Sequence, residues 1–219
     1  MISADAILSQ LKAKLDSMTP EERDEYLRSL GFDLERVKKP TIVTFSGQAQ
    51  HGKTSSAEIL QRLLINSGQR VIVMHYADYL KHIAAKYYGW NGLKDEVGRT
   101  LLMWLGTDKI RGKFPTFWVD NTITLCKAIG EDYDYVLIGD ARFPDEVARF
   151  KEEGYNVITV HVNRPDFDNG LTEKQKQHSS ETAMEGFPFD YYLSATNLDT
   201  LQHELAAKVM FLGLSKGKA

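Results

Sequence analysis

The residues best suited to chemistry form one run, Gly47-Gln-Ala-Gln-His-Gly-Lys-Thr54, which fits the phosphate-loop pattern GxxxxGK[ST] at every fixed position. In that pattern two glycines let successive backbone N–H groups curl round an anion, a lysine reaches the outer phosphates, and a hydroxyl holds Mg²⁺. Gly47, Gln48, Ala49, Gln50, His51, Gly52, Lys53, Thr54 and Ser55 are therefore the ATP-binding candidates, with Thr54 also a metal ligand. Asp140 directly follows the apolar run Tyr135-Val-Leu-Ile-Gly139, where an acid downstream of a phosphate loop serves as the second partner for Mg²⁺. Arg99, Arg111, Arg142 and Arg164 stand near predicted strand ends and flaps, and phosphoryl transfer gains most from cations around both phosphates. Lys53, Asp140 and Arg142 are accordingly the catalytic candidates. An acceptor phosphate oxygen is already anionic near neutral pH, so no strong general base is demanded, and His51 and His178 read as contact or flap residues.

The elements that must position these groups can be read outward from the loop. Thr41-Ile-Val-Thr-Phe45 before it is a β-branched apolar run, and Ala57, Ile59, Leu60, Leu63 and Leu64 after it recur at helical spacing. Val71 to His75 predicts a second strand, leading to Asp78 and Lys81 at its carboxyl end, where ligands of open α/β sheets bind. Helices are predicted over 78–88, 93–111 and 116–129, a helical excursion rich in Trp90, Trp104 and Trp118 that occupies the place of an acceptor-binding insertion. Most of its aromatics read as core, with one or two facing a base. Strands follow over 135–139, 155–161 and 190–194, with a helix from Phe143-Pro144 and a last one over 198–211. The stretch 166–177 is polar and without apolar periodicity, which predicts a mobile flap. The fold class expected is α/β: a P-loop NTPase three-layer fold with a mainly parallel five-stranded sheet, a helical acceptor-binding insertion over about 78–130 and a flap over about 165–181. The kinase domain spans 41–212, with a loose tail over 213–219.

Residues 1–40 are a helical extension that phosphate chemistry does not require. Ile7, Leu8, Leu11 and Leu15 make one helical stripe, and Thr19-Pro-Glu-Glu22 places an N-cap, a first-turn proline and a capping-box glutamate before a stop at Gly31. These helices are read as packing on the main domain or on a partner chain, a homodimer included. The second helix is acidic where a DNA-reading helix is basic, and the net charge of −3, with 27 Lys and Arg, argues against a broad nucleic-acid surface. The single Cys126 lies in an apolar helical stretch and reads as a core residue in a reducing compartment. No signal peptide or membrane-length apolar run is present, so a cytoplasmic protein with no membrane partner is expected.

A phosphate loop alone does not separate kinase from switch or motor. The guanine motif of a GTP switch has its closest match in Thr196-Asn-Leu-Asp199, which lacks the lysine, and a motor needs a larger module. The segments Tyr76 to Trp90, Arg99 to Asp108 with Arg111 and Phe117-Trp118, Asp140-Ala-Arg-Phe-Pro-Asp-Glu146, and His178-Ser-Ser-Glu181 resemble, in order, those of bacteriophage deoxynucleoside monophosphate kinases. The resemblance covers residues 41 to about 210. It implies a nucleoside-monophosphate-kinase-like fold that moves the γ-phosphate of ATP, with Mg²⁺, to a deoxynucleoside monophosphate in an infected bacterium. By position it implies Lys53 and Thr54 at the donor phosphates, Arg99 and Arg142 at the acceptor phosphate, Arg164 near the donor, and His178 and Glu181 closing the flap. Asp78, Lys81, Arg111 and Trp118 complete the acceptor-side candidates. The extension and Asp145, where asparagine is frequent, depart from the pattern. Two other readings stay open: a kinase of a modified base, such as a hydroxymethylated pyrimidine, or of another small molecule; and a nucleotide-dependent binding or regulatory module.

Overall fold

The computed structural model describes residues 13–15, 17–29 and 39–211. The chain divides into two compact units, Met1–Lys38 and Lys39–Ala219. In the first, helix α1 (Pro20–Ser29) starts as its capping box predicts: Thr19 N–H donates to Glu22 Oε2 at 2.9 Å, and Glu22 N–H donates to Thr19 Oγ1 at 3.3 Å. The stripe residues Ile7, Leu8 and Leu11, the stop at Gly31 and the tail over 213–219 lie outside the described residues.

The second unit is an α/β domain. Strands β1 (Thr41–Ser46), β2 (Val71–Met74), β3 (Tyr135–Ala141), β4 (Val157–Asn163) and β5 (Tyr191–Ser194) form a sheet of order β2-β3-β1-β4-β5. All the strand pairs are parallel, where a mainly parallel sheet is predicted. Strand periodicity divides the core in two. Val43, Phe45, Leu137, Val160 and Leu193 face Leu60 and Leu64 of α2 (Lys53–Asn66) together with Leu201 and Leu205 of α9 (Leu198–Phe211). Ile42, Val136 and Ile138 face the opposite way, against Val119 and Ile123 of α5 (Phe117–Ile129) and Val147 and Phe150 of α6 (Pro144–Glu152). Cys126 lies in this second layer, 2% exposed, and burial pushes its thiol up to about 12. Among the described residues no helix is long and apolar enough to cross a membrane.

Between β2 and β3 the chain runs through α3 (Ala77–Tyr88), α4 (Glu96–Met103), a π-helical segment (Trp104–Arg111) and α5. The helix predicted from residue 93 begins at 96, because the Asp95 side chain caps it by accepting Gly98 N–H at 2.7 Å. Its second half widens into the π-helix where Trp118 Nε1 donates to Gly106 O at 2.9 Å and Leu80 packs against Gly106. The polar segment predicted to be a flap packs on the domain. It carries two short helices, α7 (Glu173–Lys176) and α8 (Ser179–Thr182), and buries Asn169, Leu171 and Gln175.

The edge strand β5 is fastened chiefly by Asp190. Its Oδ2 accepts both the N–H and the Oγ1–H of Thr159 at 2.8 Å, and its own N–H donates back to Thr159 Oγ1 at 3.0 Å. Asp190→Ala should lower stability by about 1.5–3 kcal/mol, the range for hydrogen bonds to a charged group. A urea titration reads this as a lower midpoint at constant slope, and an unchanged midpoint would mean that the β4–β5 ladder and packing hold β5 without Asp190.

Candidate functional site

The loop after β1 has the geometry that its glycines require. Gly47 has φ +141°, and a side chain there would meet Val162 O of β4; Gly52 has φ +95°. Behind it α2 points its N-terminus at the loop, so Lys53 and Thr54 begin a helix whose first N–H groups face an anion site. Lys53 is 7% exposed and turned back, its Nζ donating to Gly47 O and Gln48 O, each at 2.7 Å. Burial, reinforced by Arg142, holds its ammonium well below the usual lysine range.

The neighbouring strand end brings up the acid. Beyond Thr44 the β1–β3 register shifts, pairing Ser46 with Ala141, so that β3 carries an extra residue at Gly139 and Asp140. Gly139 leaves room for His75, whose Nε2 lies 2.6 Å from where a Cβ would stand. Both Asp140 carboxylate oxygens are engaged, accepting Tyr76 N–H at 2.9 Å and Ala77 N–H at 3.0 Å at the start of α3.

Loop, acid and arginines line one cleft of about 430 Å³. Ala49, Gln50, Gly52, Lys53, Thr54 and Ser55 of the loop line one end of it. Lys81, Arg99, Arg111 and Arg142 stand along the rest, with Trp118, Leu80, Leu102 and Met103 as an apolar wall. Each arginine is held in place. Arg142 Nη1 donates to Glu181 Oε1 and to Ser180 O at 3.1 Å. Arg99 donates from Nε to Lys94 O at 2.8 Å and from Nη1 to Asn169 O at 3.2 Å. Arg111 pairs with Asp145 through Nη2, stacks over Phe143 at 3.8 Å, and leaves its buried Nη1 without a hydrogen-bond partner. Of the three tryptophans only Trp118 lines the cleft.

Other predicted residues stand elsewhere. Asp78 is absent from the lining: in the first turn of α3 its side chain is 61% exposed and bonded to Lys81 Nζ at 3.0 Å. Gly47 and Gln48 line a separate hollow of about 90 Å³ with His161 and Glu185. His51 faces Phe167, accepts Arg164 N–H on Nδ1 at 3.1 Å and leaves a buried Nε2 unpartnered. Arg164 stacks on Phe167 at 3.8 Å and donates to Thr196 O at 3.2 Å. His178 caps α8 and bonds Asp108 at 3.2 Å. Glu181, by contrast, does line the cleft, between the loop and Arg142, its Oε2 accepting Ala49 N–H at 2.9 Å.

Among the Asp, Glu, Lys and Arg side chains of the cleft lining, Lys94 and Glu146 escaped the sequence reading. Lys94 lines the cleft, and burial together with Lys81 depresses its ammonium. It lies in a turn without a motif, between Trp90 and the cap Asp95, so no sequence signal marks it. Glu146 is 3% exposed, and its Oε2 accepts Arg142 N–H at 2.6 Å and Phe143 N–H at 3.1 Å. Its signal was present: it sits three residues past Phe143, just before which the chain leaves β3, in the position of a capping glutamate. Burial pushes its pKa up to about 8, against the two N–H donors that pull it down. Among the described residues no cluster of three His, Cys, Asp or Glu forms a metal cage.

No family model matches the chain and no curated protein matches it, so the resemblance to phage deoxynucleoside monophosphate kinases stands on its motifs alone. Among solved structures, the APS kinase CysC of Mycobacterium tuberculosis, in complex with AMPPNP and APS, is 13% identical over 80% of this chain and 98% of its own, at a TM-score of 0.46. The protein APE1195 is 16% identical over 82% and 98%, at 0.44. A hexameric APS kinase from Thiobacillus denitrificans is 13% identical over 98% of this chain and 38% of its own, at 0.42. Likenesses of that size carry nothing about substrate.

The raised pKa of Glu146 has a sign that can be tested. Between its ordinary 4.5 and about 8 the folded chain keeps a proton that the unfolded chain releases, so this contribution is full below about 4.5 and lost as pH rises to about 8. Glu146→Gln keeps an oxygen for the two N–H donors and cannot ionise. Its stability relative to the native chain should therefore rise between about pH 5 and about pH 8.5 in urea titrations, and a pH-independent difference would rule out a buried protonated Glu146.

Proposed function

We propose that this protein transfers the γ-phosphoryl group of ATP to a deoxynucleoside monophosphate, giving the diphosphate. The observation that carries the reading is the shared cleft: the phosphate loop and a wall of Lys81, Arg99, Arg111 and Arg142 beside Trp118 line one cavity. An anion of the donor end and a second anion bearing a flat apolar group suit that lining, and the motif resemblance supplies the deoxynucleotide as the second substrate.

In this reading the loop's N–H groups and Lys53 hold the donor phosphates, with the helix dipole of α2 behind them. Arg142 and Arg99 take the acceptor phosphate. Arg99 is fixed by carbonyl partners before substrate arrives, so it needs little reorganisation as charge shifts. The attacking oxygen belongs to a phosphate that is anionic at neutral pH, and no residue has to remove its proton. Trp118 and the apolar wall take the base, and the docked segment over 165–181 excludes water from the transfer.

The donor set suits a hard cation. Thr54 supplies a hydroxyl and Asp140 a carboxylate with one lone pair left on each oxygen, both on the cleft lining. When bound, Mg²⁺ neutralises charge on the phosphates. Thr54 and Asp140 would hold it.

Incubation with Mg-ATP and a panel of deoxynucleoside monophosphates, hydroxymethylated pyrimidines included, should yield diphosphate from at least one. ADP release that no acceptor accelerates would end the kinase reading. In the accepted reaction Arg142→Ala should lower turnover by roughly 10²–10³-fold, the loss typical of one preorganised donor at a transferring group. Near-native turnover in that variant would place Arg142 outside the reacting centre.

A further inference from the structure

We propose that Glu181 is an interlock between the two halves of the cleft: its carboxylate takes the place of a donor phosphate on the loop and keeps Arg142 from the acceptor until ATP displaces it. The inference rests on the kinase reading only for the identity of the second ligand.

The contact is built. Glu181 has a side chain only 6% exposed. One oxygen accepts the N–H of Ala49, in the middle of the phosphate loop, at 2.9 Å, and the other is bonded to Arg142 Nη1. A carboxylate on a loop whose N–H groups are shaped for phosphate is an anion in an anion's position. Lys53 completes the same resting arrangement, its ammonium satisfied by the carbonyls of Gly47 and Gln48. With Ala49 N–H and the Lys53 ammonium committed to partners inside the chain, and Arg142 bonded to Glu181, each half of the site has one of its groups held back.

Arriving phosphates change the balance. A triphosphate set on the loop brings several negative charges against a buried carboxylate, and like charges at contact distance in a low-dielectric cleft repel strongly. The carboxylate is the weaker anion and the mobile one, since it is carried by a four-residue helix, α8, on a polar segment. Its departure frees Arg142, whose remaining partner is a neutral carbonyl, Ser180 O. The freed guanidinium faces the cleft where the second anion enters. Donor binding therefore raises acceptor affinity, and by linkage acceptor binding raises donor affinity by the same factor. A second consequence is ordered entry: the acceptor finds a competent cation only after the triphosphate is seated.

The remaining contacts of the segment localise the switch to this side chain. Gln50 Nε2 and Arg99 both donate to Asn169 O, and Gln175 Nε2 donates to Thr100 Oγ1 at 3.2 Å. These bonds hold the segment over the cleft without touching the loop's anion-binding amide. Glu181 can swing off Ala49 while the rest stays docked.

The test is calorimetric binding of the β,γ-imido analogue of ATP and of dAMP, dCMP, dGMP and dTMP, each alone and in the presence of the other, to the native chain, Glu181→Ala and Glu181→Gln. The native chain should bind its preferred monophosphate about tenfold more tightly once the analogue is present. In Glu181→Ala the analogue should bind about tenfold more tightly than to the native chain, and monophosphate affinity should no longer depend on it. Glu181→Gln keeps an oxygen for Ala49 N–H but no charge, and should move the same way by a smaller factor. Its near-isosteric side chain keeps the test open if the alanine variant does not fold. Equal or weaker analogue affinity in both variants would overturn the interlock, because Glu181 would then help the donor rather than stand in for it. The analogue arm decides this whether or not any monophosphate is a substrate. A chain that makes no diphosphate yet shows tighter analogue binding in the variants keeps the interlock and loses the kinase reading.

Discussion

A row of backbone N–H groups at the start of a buried helix has to end on an anion, and the cleft is organised by that requirement. The loop can present those groups only because Gly47 lies against Val162 O, where a side chain has no room, and because Gly52 takes a left-handed turn into α2. Both contacts depend on the strand order. β1 is central, with β4 on one side to back the loop and β3 on the other to deliver Asp140. Asp140 in turn fastens the start of α3 through two backbone N–H groups, so the helix that carries Lys81 is hung from the same strand end. One strand junction thus sets the positions of the loop, the acid and the first cation of the opposite wall.

Charge in the cleft is arranged to be held rather than merely present. Arg99 ends on carbonyls, Arg111 on Asp145, and Arg142 on Glu181. A guanidinium held on carbonyls, as Arg99 is, loses less freedom when an anion binds than a free surface arginine does. Glu146 contributes in a different way. Its pKa of about 8 leaves it mainly protonated near neutrality, so it organises the turn at Arg142 and Phe143 while adding little negative charge to a cleft meant for anions.

What could be read from the sequence was whatever a short-range rule determines. The phosphate loop is set by its own glycines, and the β-branched runs at Thr41, Tyr135 and Val157 pair where their periodicity says they must. The Thr19 cap follows from four adjacent residues. Features that depend on distant partners were not legible. Whether Asp78 or Lys81 faces the cleft is decided by the rotation of α3, which its bond to Asp140 sets from 63 residues away. The π-helical stretch after Met103 answers to Trp118 and Leu80 packing on Gly106, and a helical pattern alone does not announce it. Lys94 enters the cleft because Asp95 starts α4 and Arg99 reaches back to its carbonyl.

The segment over 165–181 shows how a polar stretch without periodicity can still take up local structure. Polar residues without periodicity cannot form a core, yet order needs only that backbone and buried groups find partners. Thr172 and Gln175 make a reciprocal cap, Asp168 and Asn169 close tight turns onto Gly170 and Leu171, and Leu171 with Gln175 fills a hollow beside α4. Few apolar atoms are buried, so the free energy that holds this segment down is small beside that of the sheet. A lid secured mainly by hydrogen bonds to loop and cleft residues can exchange those bonds for bonds to a ligand at little net cost, whereas a lid secured by a hydrophobic face would have to expose it. Polarity, which made the segment look unstructured, is what lets it be ordered and still give way.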